Sequence, residues 1–165
     1  MTVADRHHLL IYQFGPDADF EGHLVGALER LEATGESRVL DGLFVANDPD
    51  TGELAVFDLS SGGSAGMVAR LLTFRLDARA RRVATARALG EPGSMPADMV
   101  RDIGRALAPG CATLALLIEG GEGEDLKDAV ARTGGQTLSA EPVESSNLTD
   151  LSSKVLAAVS GPRRS

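Results

Sequence analysis

Residues 99–138 specify the fold of this chain and read MVRDIGRALAPGCATLALLIEGGEGEDLKDAVARTGGQTL. An apolar helix ends at Pro109-Gly110, and a second helix ends at Gly134-Gly135 before another strand. Glycine and proline are typical residues at and just beyond the end of a helix. The nearly continuous apolar content of 112–118 is typical of a strand that is covered on both faces. This part of the chain therefore predicts a helix, a strand, a second helix and a second strand.

The N-terminal half predicts a strand, a helix and a β-hairpin. Residues 8–14 form a short run with Ile, Tyr and Phe, which favours a strand. An apolar stripe at helical spacing follows it and predicts the first helix: Phe20, Leu24, Leu28 and Leu31. Two apolar runs, 38–46 and 53–59, flank a cluster of turn-forming residues and predict the hairpin.

The C-terminal part predicts one more strand and one more helix. Residues 136–143 return as a strand, and Pro142 suits the end of a strand or an edge strand. From Asn147 onward the apolar residues recur at helical spacing, at Leu148, Leu151, Val155, Leu156 and Val159. For residues 67–89, whose apolar residues do not gather on one helical face, we predict a broken helix.

This order of elements predicts an α+β fold, a ferredoxin-like sandwich. We expect a mainly antiparallel sheet with helices packed on one face, together with a C-terminal helix. Residues 1–160 form a single domain in this prediction, and 161–165 form a disordered tail. The face of the sheet opposite these helices then needs a cover, from a partner subunit, from residues 67–89 or from the C-terminal helix.

Composition limits the classes of function. The chain has 165 residues, a net charge of −8 and a single cysteine, Cys111. The acidic balance argues against binding to nucleic acid, because neutralising phosphates requires a concentrated basic face. One cysteine allows no intrachain disulfide, and no window has the apolar length of a membrane span. We expect a cytoplasmic protein without a membrane span.

Three runs in this sequence resemble a known family: RVLDGLFVANDPDTGELAVFDL from residue 38, DIGRALAPGCATLALLIE from residue 102 and LKDAVARTGGQTLSA from residue 126. The family is a bacterial, actinobacterial-type family of ferredoxin-like domains of unknown function. It is related to a broader family of uncharacterised membrane-associated, stress-linked proteins. The resemblance covers roughly residues 8–140 and rests on Ala106, Leu107, Pro109, Gly110 and on Gly134, Gly135. It implies the fold and a stress-related or regulatory setting, and it leaves the activity open because it rests on no catalytic residues.

Members of the broader family carry a long apolar hairpin, and this chain departs from them there. Between residues 62 and 90 it has six arginines. Each charge near the centre of a bilayer costs about 2.5–3.5 kcal/mol on insertion scales, so we expect no membrane span in this segment. If the segment is helical, Arg75, Arg79 and Arg82 lie on one face and are candidates for binding an anionic ligand. The simpler interpretation is a solvated helix face.

No pattern in the sequence demands catalysis, a metal or a cofactor. His7 and His8 point to opposite sides of an extended strand and cannot chelate together. Nothing brings His23 and Cys111 together, and a buried small residue is the simpler interpretation of Cys111. We therefore predict that the protein is not an enzyme, that it has no catalytic or metal-binding residues and that it needs no cofactor.

Our first functional hypothesis is association, as a homodimer or higher homo-oligomer or with another protein. The candidate interface is the C-terminal helix with its five apolar residues, Leu148, Leu151, Val155, Leu156 and Val159. These residues either complete the protomer or dock a second subunit. The alternative is a binder of a small anionic ligand, or an enzyme, with a pocket at a dimer interface. A weaker alternative is peripheral contact with a membrane surface through the arginine-rich segment.

Overall fold

The computed structural model describes residues 7–15, 26–27, 30, 38–47, 54–58, 97–107, 110–120, 124–144 and 149–160. The strands are β1 His7–Phe14, β2 Arg38–Asn47, β3 Leu54–Asp58, β4 Ala112–Glu119 and β5 Gln136–Val143. The helices are α1 Ala97–Ala106, α2 Glu124–Thr133 and α3 Ser152–Ser160, and a 3-10 turn, Thr149–Leu151, leads into α3. Residues 26, 27 and 30 are also helical and fall within the first helix that the sequence predicts.

The five strands form one antiparallel sheet in the order β3-β2-β4-β1-β5. Without the outermost β3, this is the strand order of a ferredoxin-like sandwich, so the predicted α+β fold class with its C-terminal helix is confirmed. Two irregularities interrupt the pairing. Each is a β-bulge, in which one residue has no partner on the neighbouring strand: Leu40 of β2 against β4, and Leu138 of β5 against β1.

The first face of the sheet packs against α1 and α3. Successive side chains of a strand point to opposite faces, so Leu9 and Ile11 share this face with their partners on β4, and those partners share it with the residues opposite them on β2. One apolar cluster joins the strands to the two helices: Leu9, Ile11, Leu43, Val45, Val56, Val100, Ile103, Leu107, Ala115, Leu117, Leu151, Val155 and Val159. Full burial of each large apolar side chain contributes about 1.5–3 kcal/mol. The C-terminal helix, together with α1, therefore supplies the cover that the sequence required for this face.

The second face of the sheet is buried as well. It carries the alternate residues of the same strands, including Leu10, Tyr12 and Phe14, which are almost fully buried. Helix α2 buries Leu126, Ala129 and Val130, none of which belongs to the cluster on the first face. The chain just after α2 passes close to the Phe14 ring, so we place α2 on the second face. Both faces of the central strands are thus covered by the chain itself.

Helix α2 ends as the glycine pair predicts. Gly134 has a φ of 100°, in the left-handed region that favours glycine. The Gly135 N–H donates to the carbonyl oxygen of Val130 at 2.9 Å, and the Gly134 N–H donates to that of Ala131 at 3.2 Å. This is a Schellman motif, which satisfies two carbonyl groups at the end of the helix and turns the chain into β5.

Several sequence predictions fall on residues outside the described ranges. They are the broken helix over 67–89, the turn over 47–52 beyond its first residue, Asn47, and the tail over 161–165. None of the helices in the described part of the chain has the length and apolar content that a bilayer crossing requires.

Candidate functional site at the edge of the sheet

Strand β5 is the outermost strand on one side of the sheet. Its hydrogen-bonded neighbour is β1, and no strand in the described ranges pairs with its outer side. None of its eight residues is fully buried. Gln136, Ala140 and Pro142 are exposed, and the other five residues are partly buried. An edge strand of this kind offers backbone N–H and C=O groups to another strand.

Two features confine the regular part of this edge to three residues. On one side the extra residue Leu138 interrupts the pairing with β1, because consecutive residues of β1 pair with Ser139 and then with Thr137. Pro142 has no backbone N–H, so it fits where its nitrogen points away from β1. The uninterrupted stretch is Ser139 to Glu141, centred on the exposed Ala140. The prediction that Pro142 suits an edge is confirmed.

Helix α3 lies above this edge on the first face of the sheet. Lys154 of α3 forms an ion pair with Glu141 of β5, with 3.1 Å between Nζ and Oε2. Both side chains are about half exposed, at 54% and 43%, so the pair adds little to stability. Its effect is to balance the negative charge of Glu141, the one carboxylate within β5.

The structure places most of the predicted interface residues inside the protomer. Leu151, Val155 and Val159 are buried in the cluster between α3, α1 and the sheet, and Leu156 packs against that cluster while partly buried. These contacts correspond to the alternative in which the C-terminal helix completes the protomer. Leu148, Arg75, Arg79 and Arg82 lie outside the described residues. Sequence reasoning missed the outer edge of β5 as a site, and Pro142 was its only signal.

The remaining candidate residues do not come together. His7 and His8 are consecutive in β1 and lie on opposite faces of the sheet, and His23 lies outside the described residues. Cys111 is a free, partly buried cysteine next to the start of β4. Among the described residues, no group of three or more His, Cys, Asp or Glu side chains is arranged to hold a metal ion.

Tyr12 provides a test of how tightly the second face is packed. It is the only tyrosine, the chain has no tryptophan, and it is 1% exposed. Burial raises the pKa of its phenol far above the ordinary value of about 10. A raised pKa means that the folded protein holds the proton more tightly than the unfolded chain. The resulting stabilisation is complete below about pH 10 and is lost as the pH rises above it.

We therefore expect phenolate absorbance to appear only as the protein unfolds at alkaline pH. Absorbance and circular dichroism, recorded together against pH, are expected to change in a single step. In denaturant the same phenol is expected to titrate at about pH 10. A phenolate signal near that pH in the still-folded protein would contradict the burial of Tyr12.

Comparison with protein-family models, with curated proteins and with solved structures finds no match to this chain. The family resemblance of residues 8–140 therefore stays a prediction.

Proposed function

We propose that this protein acts by self-association, in which two copies pair through the edges of β5 and join their sheets. The observation that carries this proposal is the outermost position of β5, whose outer side is unpaired within the described residues. Addition of one strand to the edge of another is a common mode of recognition, because backbone hydrogen bonds supply the affinity.

Packing within the protomer favours the edge of the sheet, rather than its faces, as the place where a second copy binds. Helices α1 and α3 cover the first face, and the large side chains of the second face are almost fully buried. A dimer that encloses a pocket against an open sheet face would need one of these faces to be free. The sheet has two edges, β3 and β5, that no strand in the described residues covers, and β5 is the longer of the two strands, with eight residues against five.

The chemistry of β5 suits a second copy of the same strand. An antiparallel pair of identical strands is related by a two-fold axis, so the surface is complementary to itself. If the axis passes through Ala140, Ser139 of one copy lies opposite Glu141 of the other. The hydroxyl group can then donate to the carboxylate. Lys154 balances the charge of Glu141 in each copy, which reduces repulsion between the two carboxylates.

The test is a charge placed at the centre of this edge. In Ala140→Glu, two carboxylates face each other across the two-fold axis, and we expect the dissociation constant of the dimer to rise about tenfold or more. Sedimentation equilibrium over a concentration series measures this constant. Ala131→Glu is the matched control, because Ala131 is also an exposed alanine but lies on helix α2. Its dissociation constant is expected to equal that of the wild type.

Two results would overturn the proposal. One is a wild-type protein that stays monomeric up to millimolar concentration. The other is a dimer that Ala140→Glu and Ala131→Glu weaken equally, which would place the interface elsewhere. Circular dichroism of both variants verifies that the fold is retained.

A further inference from the structure

Asn47, the last residue of β2, holds the turn between α1 and β4. Its backbone N–H donates to the carbonyl oxygen of Cys111 at 3.0 Å, and its own carbonyl oxygen accepts from the Gly110 N–H at 2.9 Å. Its side-chain Nδ2 points to the carbonyl oxygen of Leu107 at 3.5 Å, which is a long and weak hydrogen bond. The end of α1 is thus attached to the sheet at one residue.

Two buried polar atoms next to this turn have no hydrogen-bond partner within the part of the chain that the structure describes. They are Oδ1 of Asn47 and Oγ1 of Thr113, and Thr113 is fully buried. Native proteins pair about nine-tenths or more of such buried groups, so two unpaired atoms in one place call for a physical explanation.

The register of the sheet places these two side chains close together. Thr113 lies opposite Val45, and Asn47 follows Val45 by two residues on the same strand. The two side chains therefore project from the same face of neighbouring strands as diagonal neighbours, with about 7–8 Å between their Cα atoms. Asparagine and threonine side chains extend far enough for one small molecule to reach both polar atoms.

We propose that one buried water molecule binds between Asn47, Thr113 and the carbonyl group of Leu107. The hydrogen bonds balance: water donates to Oδ1 of Asn47 and to the Leu107 carbonyl oxygen, and accepts from the hydroxyl group of Thr113. About three hydrogen bonds are typical of a buried water in a folded protein. The deep burial of Thr113 admits only a very small ligand. This water joins the C-terminal end of α1 to β2 and to the central strand β4.

This inference is tested by whether removing the hydroxyl group of Thr113 lowers or raises the midpoint of thermal unfolding. Thr113→Val keeps the shape of the side chain and removes only its hydroxyl group. If the hydroxyl group binds the water, the midpoint of thermal unfolding falls by about 3 °C. If the hydroxyl group has no partner, its removal leaves the midpoint unchanged or raises it, and the inference is overturned.

Thr133→Val is the matched control. Thr133 is also buried, and its hydroxyl group donates to the carbonyl oxygen of Ala129 at 2.8 Å. This variant measures how far the midpoint of thermal unfolding falls when a buried threonine loses one known hydrogen bond. We expect Thr113→Val to lower the midpoint by a similar amount.

The bound water can also be tested in the wild-type protein, so this second test does not depend on whether a variant folds. We expect nuclear magnetic resonance to show cross-relaxation between the methyl protons of Thr113 and a long-lived water. Its absence in the folded protein would overturn the inference.

Discussion

Replacing Val155 by aspartate is expected to destabilise the protein by about 4 kcal/mol or more. Val155 is 0% exposed and lies in the cluster between α3, α1 and the first face of the sheet. A carboxylate at this position loses its hydration, and the described residues that form the cluster around it are all apolar, so none of them can pair with its charge. Since domains of this size have a free energy of unfolding of about 5–15 kcal/mol, this one substitution removes a large part of it.

Ala157→Asp is the control for this prediction. Ala157 is exposed on the same helix, two residues away, so the substitution adds the same charge without burying it. We expect a loss of about 1 kcal/mol or less, mostly from helix propensity. Urea unfolding followed by circular dichroism gives both values. Equal stability of the two variants would mean that α3 does not form part of the core, and docking of a second subunit through α3 would again be the better interpretation.

Gly135→Ala is expected to destabilise the protein by about 2 kcal/mol. A methyl group on Gly135 would lie 2.6 Å from Cδ1 of the Phe14 ring and 2.9 Å from the carbonyl oxygen of Gln13. The ring is almost fully buried and the carbonyl group belongs to the backbone of β1, so neither moves without disturbing the sheet. The close approach of two backbones requires glycine here.

Gly15→Ala is the matched control for Gly135→Ala. A methyl group on Gly15 would meet no atom within 4 Å. We expect a change of about 1 kcal/mol or less, since the substitution also restricts the unfolded chain. If urea unfolding shows no difference between the two variants, the connection from α2 to β5 does not pack tightly against β1.

The sequence predicted the strands well because their signals are local. The strand over 136–143 has the bounds that the sequence indicates, and the strand over 112–118 extends by one residue to Glu119. Glycine pairs and apolar runs act within a few residues, so a single sequence reveals them. The end of α2 just before Gly134 is predictable for the same reason.

The contacts between elements could not be predicted in this way. An amphipathic helix has an apolar face, but its pattern does not identify the surface that covers that face. The residues Leu151, Val155 and Val159 were therefore compatible both with the core and with an interface. The neighbouring positions of Asn47 and Thr113 depend on the register between β2 and β4, and the extra residue Leu40 shifts that register.

The position of β1 in the sheet has a consequence for the synthesis of this protein. β1 is translated before the other four strands of this sheet, yet both of its neighbours, β4 and β5, lie within residues 112–143. At typical rates of translation, the ribosome needs of the order of ten seconds to reach them. Throughout that interval the apolar run from Leu9 to Phe14 has neither of its native neighbours. A nascent chain that is released before residue 112 therefore keeps an unpaired apolar strand, and we expect such fragments to be the most aggregation-prone form of this protein.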